Sequence, residues 1–170
     1  MTGFEHMRNT RGFTIVELLI VIVVIGILAA ITIVAFNGIQ DRAKFAQKRA
    51  DLTSINKAIK LYYADVGSYP VSPSSPATGN FVYQRMAATD NDFIPGLAPK
   101  YISKIPTITD GPTGAANNNT FIYRSDGTSY TIQRLYQLGT TPQTMPASEW
   151  SQVPSDLKET GNVDRWGFKS

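Results

Sequence analysis

Glu17 is the one charged residue between Arg11 and Asp41, in a run of uncharged and mostly apolar side chains. The 23 residues from Leu18 to Gln40 carry no charge, and as a helix they would span about 35 Å, enough to cross a bilayer core of about 30 Å. Acids inside such a span are costly, at about 2.5 to 3.5 kcal/mol near the bilayer centre, and they are usually paired or functional. The alternative is a helix-end acid that reaches the interface and is favoured by the helix dipole.

Directly before this acid lies a Gly12-Phe13 junction. Gly12 has no side chain to obstruct an extended peptide in a protease site, and its flexibility lets the preceding segment leave the helix. Phe13 and Glu17 are four residues apart and therefore share one face of a helix. Residues 11–19, Arg-Gly-Phe-Thr-Ile-Val-Glu-Leu-Leu, with the apolar run to Ile31, resemble the class III signal of type IV pilins and type II secretion pseudopilins.

The resemblance implies a processing event and an assembly contact. In that family a membrane-embedded prepilin peptidase cuts after the glycine and methylates the new terminal amine. On this chain it would remove a leader of residues 1–12 and methylate Phe13. The family's glutamate, here Glu17, is thought to meet the terminal amine of a neighbouring subunit in the filament, so that two groups that are costly alone neutralise each other.

Two alternatives concern the same N-terminal segment. A start at Met7 would give a six-residue leader with Arg8 and Arg11 and no acid, closer to the short leaders of the family. A conventional secretory signal cut near Ala29 or Ala30 is the rival targeting signal. Its apolar region would continue without a break through Phe36, which favours an anchor.

A second pattern follows the apolar run. Residues 13–40 are expected to form the transmembrane half of one helix, and residues 41–66 an amphipathic half that ends at Gly67. Positive charges lie on both sides of the apolar run, so the head-outside orientation is implied by the resemblance alone. The predicted core stripe is Phe45, Leu52, Ile55, Ile59, Tyr62 and Val66, and the predicted solvated face is Asp41, Arg42, Lys44, Lys48, Arg49, Asp51, Lys57 and Lys60.

Residues 67–170 are expected to form a globular head and, with the helix, an α+β fold with a small antiparallel sheet. Residues 71–120 are predicted to be loop with short helical pieces, including polar loops at 71–80 and 110–120. Within them, the apolar residues of 93–102 are expected to wrap the helix. Two β-rich runs flank Asp126-Gly127, which predicts a hairpin over 121–136. Beyond Gly139, irregular structure with one more short strand is expected.

The composition argues against an enzyme. The chain has no cysteine, and its one histidine, His6, lies in the predicted leader, so the commonest catalytic and transition-metal side chains are missing. Asp90 and Asp92 are better explained as solvated surface residues than as the acid pair of an enzyme site. Asp110 with Asn117, Asn118 and Asn119 offers few carboxylates for calcium, and Asn118-Asn119-Thr120 is a weak glycosylation sequon. No catalytic residue, metal or cofactor is expected.

Two functions fit these patterns. The favoured one is a structural subunit of a type IV pilus-like filament, whether pilin or pseudopilin. By resemblance, its partners would be identical or related subunits, prepilin peptidase, the pilus assembly platform and, before assembly, membrane lipid. It would lie in the cytoplasmic membrane and then in a filament outside it.

The alternative is a single-span anchored binding or sensing head. Nucleic acid stacking on aromatic side chains is a further option, unsupported by the net charge of +3.

Overall fold

The protein begins with one long helix. The computed structural model describes residues 13–73, 81–108, 117–138, 145–159 and 164–170, without the side chains of residues 34, 35, 117, 118, 137 and 138. Helix α1 runs over Ile15–Val66, as expected for a segment without proline. Gly67 ends it with φ of +82°, and its N–H donates to the Tyr63 carbonyl at 2.8 Å. The predicted helix stop is therefore confirmed.

The chain divides into two compact units, Met1–Gln40 and Asp41–Ser170. In the first unit, the large apolar side chains of α1 that the structure describes between Ile15 and Ile39 are exposed. Among the described residues, α1 is the one helix that is long and apolar enough to cross a membrane. So many exposed apolar side chains need lipid or protein around them, because contact of apolar surface with water is unfavourable.

The second unit is built on a five-stranded antiparallel sheet. Its strands are β1 (Val82–Tyr83), β2 (Asn117–Ser125), β3 (Tyr130–Leu138), β4 (Lys158–Glu159) and β5 (Arg165–Lys169), in the order β1-β2-β3-β5-β4. Two short helices, α2 (Asp90–Phe93) and α3 (Ala147–Trp150), lie between strands in the sequence. The α+β arrangement that the sequence predicts is confirmed.

The β2-β3 hairpin matches the strongest strand signal in the sequence. Gly127 has φ of +89°, and the Asp126 carboxylate accepts the N–H groups of Thr128 and Ser129 at 2.9 and 2.8 Å. These hydrogen bonds lower the pKa of Asp126 below its ordinary value. The predicted polar loop over 110–120 is wrong for 117–120, since these residues pair with β3, Thr120 opposite Leu135. Pairing satisfies backbone groups regardless of the polar side chains.

The part of the chain after Gly139 is more regular than predicted. Besides α3, it contributes two strands where one was expected. β5 pairs with β3 on one side and with β4 on the other. Trp166 is fully buried at this position, and its ring centroid lies 5.5 Å from that of Phe45 in α1. Burial of a large aromatic side chain is a strong reason for the segment to join the sheet.

The core lies between residues 41–66 of α1 and the sheet. The predicted stripe is largely correct, but Val66 is 52% exposed, because the helix ends there. The prediction that Lys48 lies on the solvated face is wrong, since this residue is only 8% exposed. As predicted, the 93–102 segment supplies apolar anchors to the helix. The fully buried apolar side chains include Leu52, Ile55, Ile59, Phe93, Ile94, Leu97, Ile105, Phe121, Tyr123, Ile132 and Trp166.

Candidate functional site

The start of α1 is organised by a reciprocal pair of hydrogen bonds between Thr14 and Glu17. The backbone N–H of Glu17 donates to the Thr14 hydroxyl oxygen at 3.2 Å. In return, the Thr14 N–H donates to Glu17 Oε2 at 2.8 Å, and the Thr14 hydroxyl donates to the same oxygen at 2.9 Å. This is a capping box, in which two of the backbone N–H groups that a helix start leaves unpaired are satisfied by side chains.

The capping box fixes the position of the Glu17 carboxylate. Both hydrogen bonds from Thr14 go to Oε2, so the other oxygen keeps its capacity to accept a further donor. Phe13, which immediately precedes the box, is 82% exposed. Gly12, the residue predicted to precede the cleavage point, lies outside the described residues. The structure thus shows an accessible acid at the beginning of a long apolar helix.

Sequence reasoning missed Thr14 as a partner of Glu17. The signal was present, since a Thr followed three residues later by Glu before an apolar run is a known helix-start pattern. The structure shows one role of this carboxylate, the capping of its own helix, whereas recognition of a second group remains a prediction. Any test of the second role has to keep the first intact.

The proposed acid pair in the head is explained by local structure. Asp92 forms a capping box with Thr89 at the start of α2, and Asp92 Oδ2 accepts from the Thr89 N–H at 2.9 Å. Asp90 Oδ2 accepts from the backbone N–H of Ile105 at 2.9 Å. Each carboxylate thus satisfies backbone groups of a loop segment, which is a structural use of both acids.

The calcium and sequon hypotheses concern residues that the structure describes only in part. Asp110 and the side chain of Asn118 lie outside the described residues. Thr120 of the sequon is buried, and its hydroxyl oxygen accepts from the Arg85 N–H at 3.1 Å. Over the described ranges, no group of three or more His, Cys, Asp or Glu side chains is placed to hold a metal ion.

A buried cluster of charged side chains joins α1, α3 and the sheet. Glu149 Oε2 accepts from Lys48 Nζ at 2.8 Å, and Glu149 Oε1 accepts from Trp166 Nε1 at 3.1 Å. Arg134 Nε lies 3.3 Å from the same Oε1. Lys48, Arg134 and Glu149 are 8%, 0% and 6% exposed. Such a cluster stabilises a fold only if its charges are well paired, because desolvation of each ion is expensive.

A second ion pair lies at the far end of the same helix and is largely exposed. Lys100 Nζ lies 2.6 Å from Asp65 Oδ2, and the Tyr101 hydroxyl donates to the same oxygen at 2.5 Å. The hydrogen bonds from Lys100 and Tyr101 lower the pKa of Asp65. Since solvent screens this pair, it is a useful contrast to the buried cluster.

Comparison with known families identifies the segment around Glu17. The model of the prokaryotic N-terminal methylation motif matches residues 7–33. This range contains Gly12, Phe13, Thr14 and Glu17. The match therefore covers the predicted processing junction, the capping box and the first turns of the apolar helix.

Characterised proteins resemble the chain over a larger part. It is 36% identical to the type IV major pilin protein PilA of Myxococcus xanthus over 89 residues, which are 50% of this chain and 40% of the pilin. It is 32% identical to the type II secretion system core protein G of Klebsiella pneumoniae over 66 residues, 39% of this chain and 47% of that protein. The Pseudomonas aeruginosa core protein G is 35% identical over 63 residues, 37% and 44% of the two chains.

These similarities cover only part of each chain. The chain spans less than half the length of each of these relatives, and no solved structure is significantly similar to it. The methylation motif nevertheless falls on the helix start that the sequence singles out. In its N-terminal region, the chain therefore carries the prokaryotic N-terminal methylation motif and is similar to a type IV pilin and to type II secretion core proteins.

Proposed function

We propose that this protein is a structural subunit of a type IV pilus-like filament. The observation that carries the proposal is the methylation motif over residues 7–33, whose acid lies at the start of a helix apolar enough to cross a membrane. The resemblance to a major pilin and to type II secretion core proteins supports it. The protein has a scaffolding role in this proposal and no catalytic one.

The proposal includes processing of the N-terminus. Prepilin peptidase removes residues 1–12 by cutting between Gly12 and Phe13, and the new amine of Phe13 is methylated. Before assembly, residues 13–40 anchor the protein in the cytoplasmic membrane with the head outside. Residues 41–66 and the 67–170 head then form the part of the subunit that the filament displays.

Assembly in this proposal uses Glu17. Its Oε1 accepts a hydrogen bond from the terminal ammonium of a neighbouring subunit, while Oε2 remains bound to Thr14. Pairing of the two charges is favourable in an apolar filament core, because each alone carries a large desolvation cost. Partners are identical or related subunits, prepilin peptidase, the assembly platform and, before polymerisation, membrane lipid.

The first test is mass spectrometry of the mature N-terminus in the native host. A chain that begins with methylated Phe13 supports the proposal. An uncut chain contradicts it and favours the single-span anchored binding or sensing protein. Immunogold imaging of shed filaments with an antibody against the head then shows whether the chain polymerises.

The second test separates the two roles of Glu17 with a pair of variants. Glu17→Gln keeps a side chain that can complete the capping box but removes the charge. Thr14→Val keeps the shape of Thr14 but removes its hydroxyl, which costs about 1 kcal/mol at a helix N-cap. We expect processing of both variants, loss of filaments with Glu17→Gln, and assembly with Thr14→Val. Normal filament yield with Glu17→Gln would contradict the pairing.

A further inference from the structure

A polar cavity lies beside the buried charged cluster in the head. Its volume is about 210 Å³. The floor is formed by Lys48, Arg134 and Glu149, three side chains that are almost completely buried. The remaining lining residues are Asp41, Lys44, Phe45, Asn119, Tyr136, Pro146 and Ser148. The cavity therefore combines a charged floor with a mouth that carries exposed polar groups.

The lining has an excess of positive charge. Three cationic side chains, Lys44, Lys48 and Arg134, face two carboxylates. Glu149, the buried carboxylate, is shared: Lys48 Nζ lies 2.8 Å and Arg134 Nε 3.3 Å from its oxygens. Glu149 thus contacts both buried cations, and its Oε1 also accepts from the Trp166 indole. A site with net positive charge in partly desolvated surroundings attracts an anion.

The walls indicate what kind of anion fits. Phe45, Tyr136 and Pro146 give the cavity apolar sides, and the Arg134 guanidinium lies 5.5 Å from the centroid of the Tyr136 ring. At about 30 Å³ per water molecule, the volume is that of about seven waters, which accommodates a tetrahedral phosphate with part of an organic substituent. Arginine and lysine together are the usual partners of phosphate oxygens in proteins.

We propose that this cavity binds a phosphate group, with Lys44, Lys48 and Arg134 as its cationic partners. The phosphate has two possible sources: free inorganic phosphate, or the headgroup of an anionic phospholipid. In the sequence, Asp41 directly follows the uncharged run that ends at Gln40, and Lys44 comes three residues later, which favours the lipid source. The proposal does not depend on Glu17 or on filament assembly.

The test is a binding titration of the full chain in a nonionic detergent at constant ionic strength. Trp166 donates to Glu149 at the cavity floor, so intrinsic tryptophan fluorescence reports occupancy. One arm titrates inorganic phosphate, and the other titrates phosphatidylglycerol against phosphatidylcholine in mixed micelles. We expect a saturable change in at least one arm. Saturation by inorganic phosphate identifies the free ion, and saturation by phosphatidylglycerol alone identifies the headgroup.

Matched variants test whether the phosphate group binds at this cavity. Lys44→Gln removes an exposed cation at the cavity mouth, whereas Lys60→Gln removes an exposed cation of the same helix that does not line the cavity. We expect Lys44→Gln to weaken binding five- to tenfold and Lys60→Gln to change it less than twofold. Ser148→Asp, which adds an acid at the exposed mouth, should weaken binding at least as much without disturbing the core. The proposal is overturned by the absence of saturation in both arms, or by equal weakening in Lys44→Gln and Lys60→Gln.

Discussion

Glu149→Gln is predicted to destabilise the head strongly, because it removes a buried carboxylate that contacts both Lys48 and Arg134. Glutamine has nearly the same shape, and its carbonyl oxygen can still accept the Trp166 indole N–H. What it loses is the negative charge 2.8 Å from Lys48 Nζ and 3.3 Å from Arg134 Nε. Both cations are almost completely buried, so water in the adjoining cavity replaces the missing charge only in part.

The size of the expected loss of stability follows from the burial of the cluster. Removal of one partner from a buried ion pair typically costs about 3 to 5 kcal/mol, because an uncompensated charge remains in the interior. Total stabilities of single domains are about 5 to 15 kcal/mol, so the change is a large fraction of the whole. At an unfolding entropy of about 2.1 cal/mol/K per residue, each kcal/mol moves the midpoint of thermal unfolding of the unit Asp41–Ser170 by about 4 °C. Glu149→Gln should therefore lower that midpoint by roughly 12 to 20 °C.

The assay is thermal and urea unfolding of the full chain in nonionic detergent, followed by tryptophan fluorescence, since both tryptophans lie in the head. The matched control is Asp65→Asn, which removes the acid of the exposed pair with Lys100. Solvent screening makes the expected effect of this control much smaller. If Glu149→Gln unfolds at the wild-type midpoint, or loses no more stability than Asp65→Asn, the argument from buried charge is refuted.

Three further changes test local features of the head in the same unfolding assay. Gly67→Ala places a side chain at φ of +82° and should cost about 1 to 2 kcal/mol, whereas Gly67→Asn, which tolerates this region, should cost less. Gly167→Ala should abolish folding of the head, because its Cβ would lie 2.2 Å from the Ile132 carbonyl oxygen; a soluble, folded variant would contradict this. Glu159 has a pKa below the ordinary value of 4.5, chiefly through a hydrogen bond from Gln133. The stabilisation that the Glu159 carboxylate provides is present above pH 4.5 and is lost as the pH falls through its lowered pKa. At acid pH, the free energy of unfolding of Glu159→Gln should therefore depend less on pH than that of the wild type.

The features predicted correctly from the sequence are those with a local signal. The end of α1 depends on a glycine in the left-handed region, and the hairpin depends on a two-residue turn signal between β-rich runs. In both cases neighbouring residues determine the conformation. The extension of β2 back to Asn117 was missed because three asparagines in succession favour a loop locally, and only the pairing with β3 overrides that preference.

Lys48 shows where local reasoning fails for a different reason. It fills the gap of seven residues between Phe45 and Leu52, at spacings of three and four, so it lies on the buried stripe. The pattern was visible, but a lysine is almost never fully buried unless it is paired. Its partner Glu149 lies 101 residues away, and no local pattern joins the two. Arg134 is likewise buried and lies beside Glu149.

The capping box bears directly on how Glu17 is tolerated before any filament forms. A carboxylate near the start of an apolar helix lacks the amine of a neighbour at that stage, yet the structure gives it two hydrogen bonds from Thr14. The positive end of the helix dipole adds to this stabilisation. Because both bonds use Oε2, a neighbouring ammonium can bind Oε1 without breaking the cap. In the proposed assembly, Glu17 can therefore pair with a neighbouring ammonium while it still caps its own helix, and the pairing does not require the Thr14 hydroxyl.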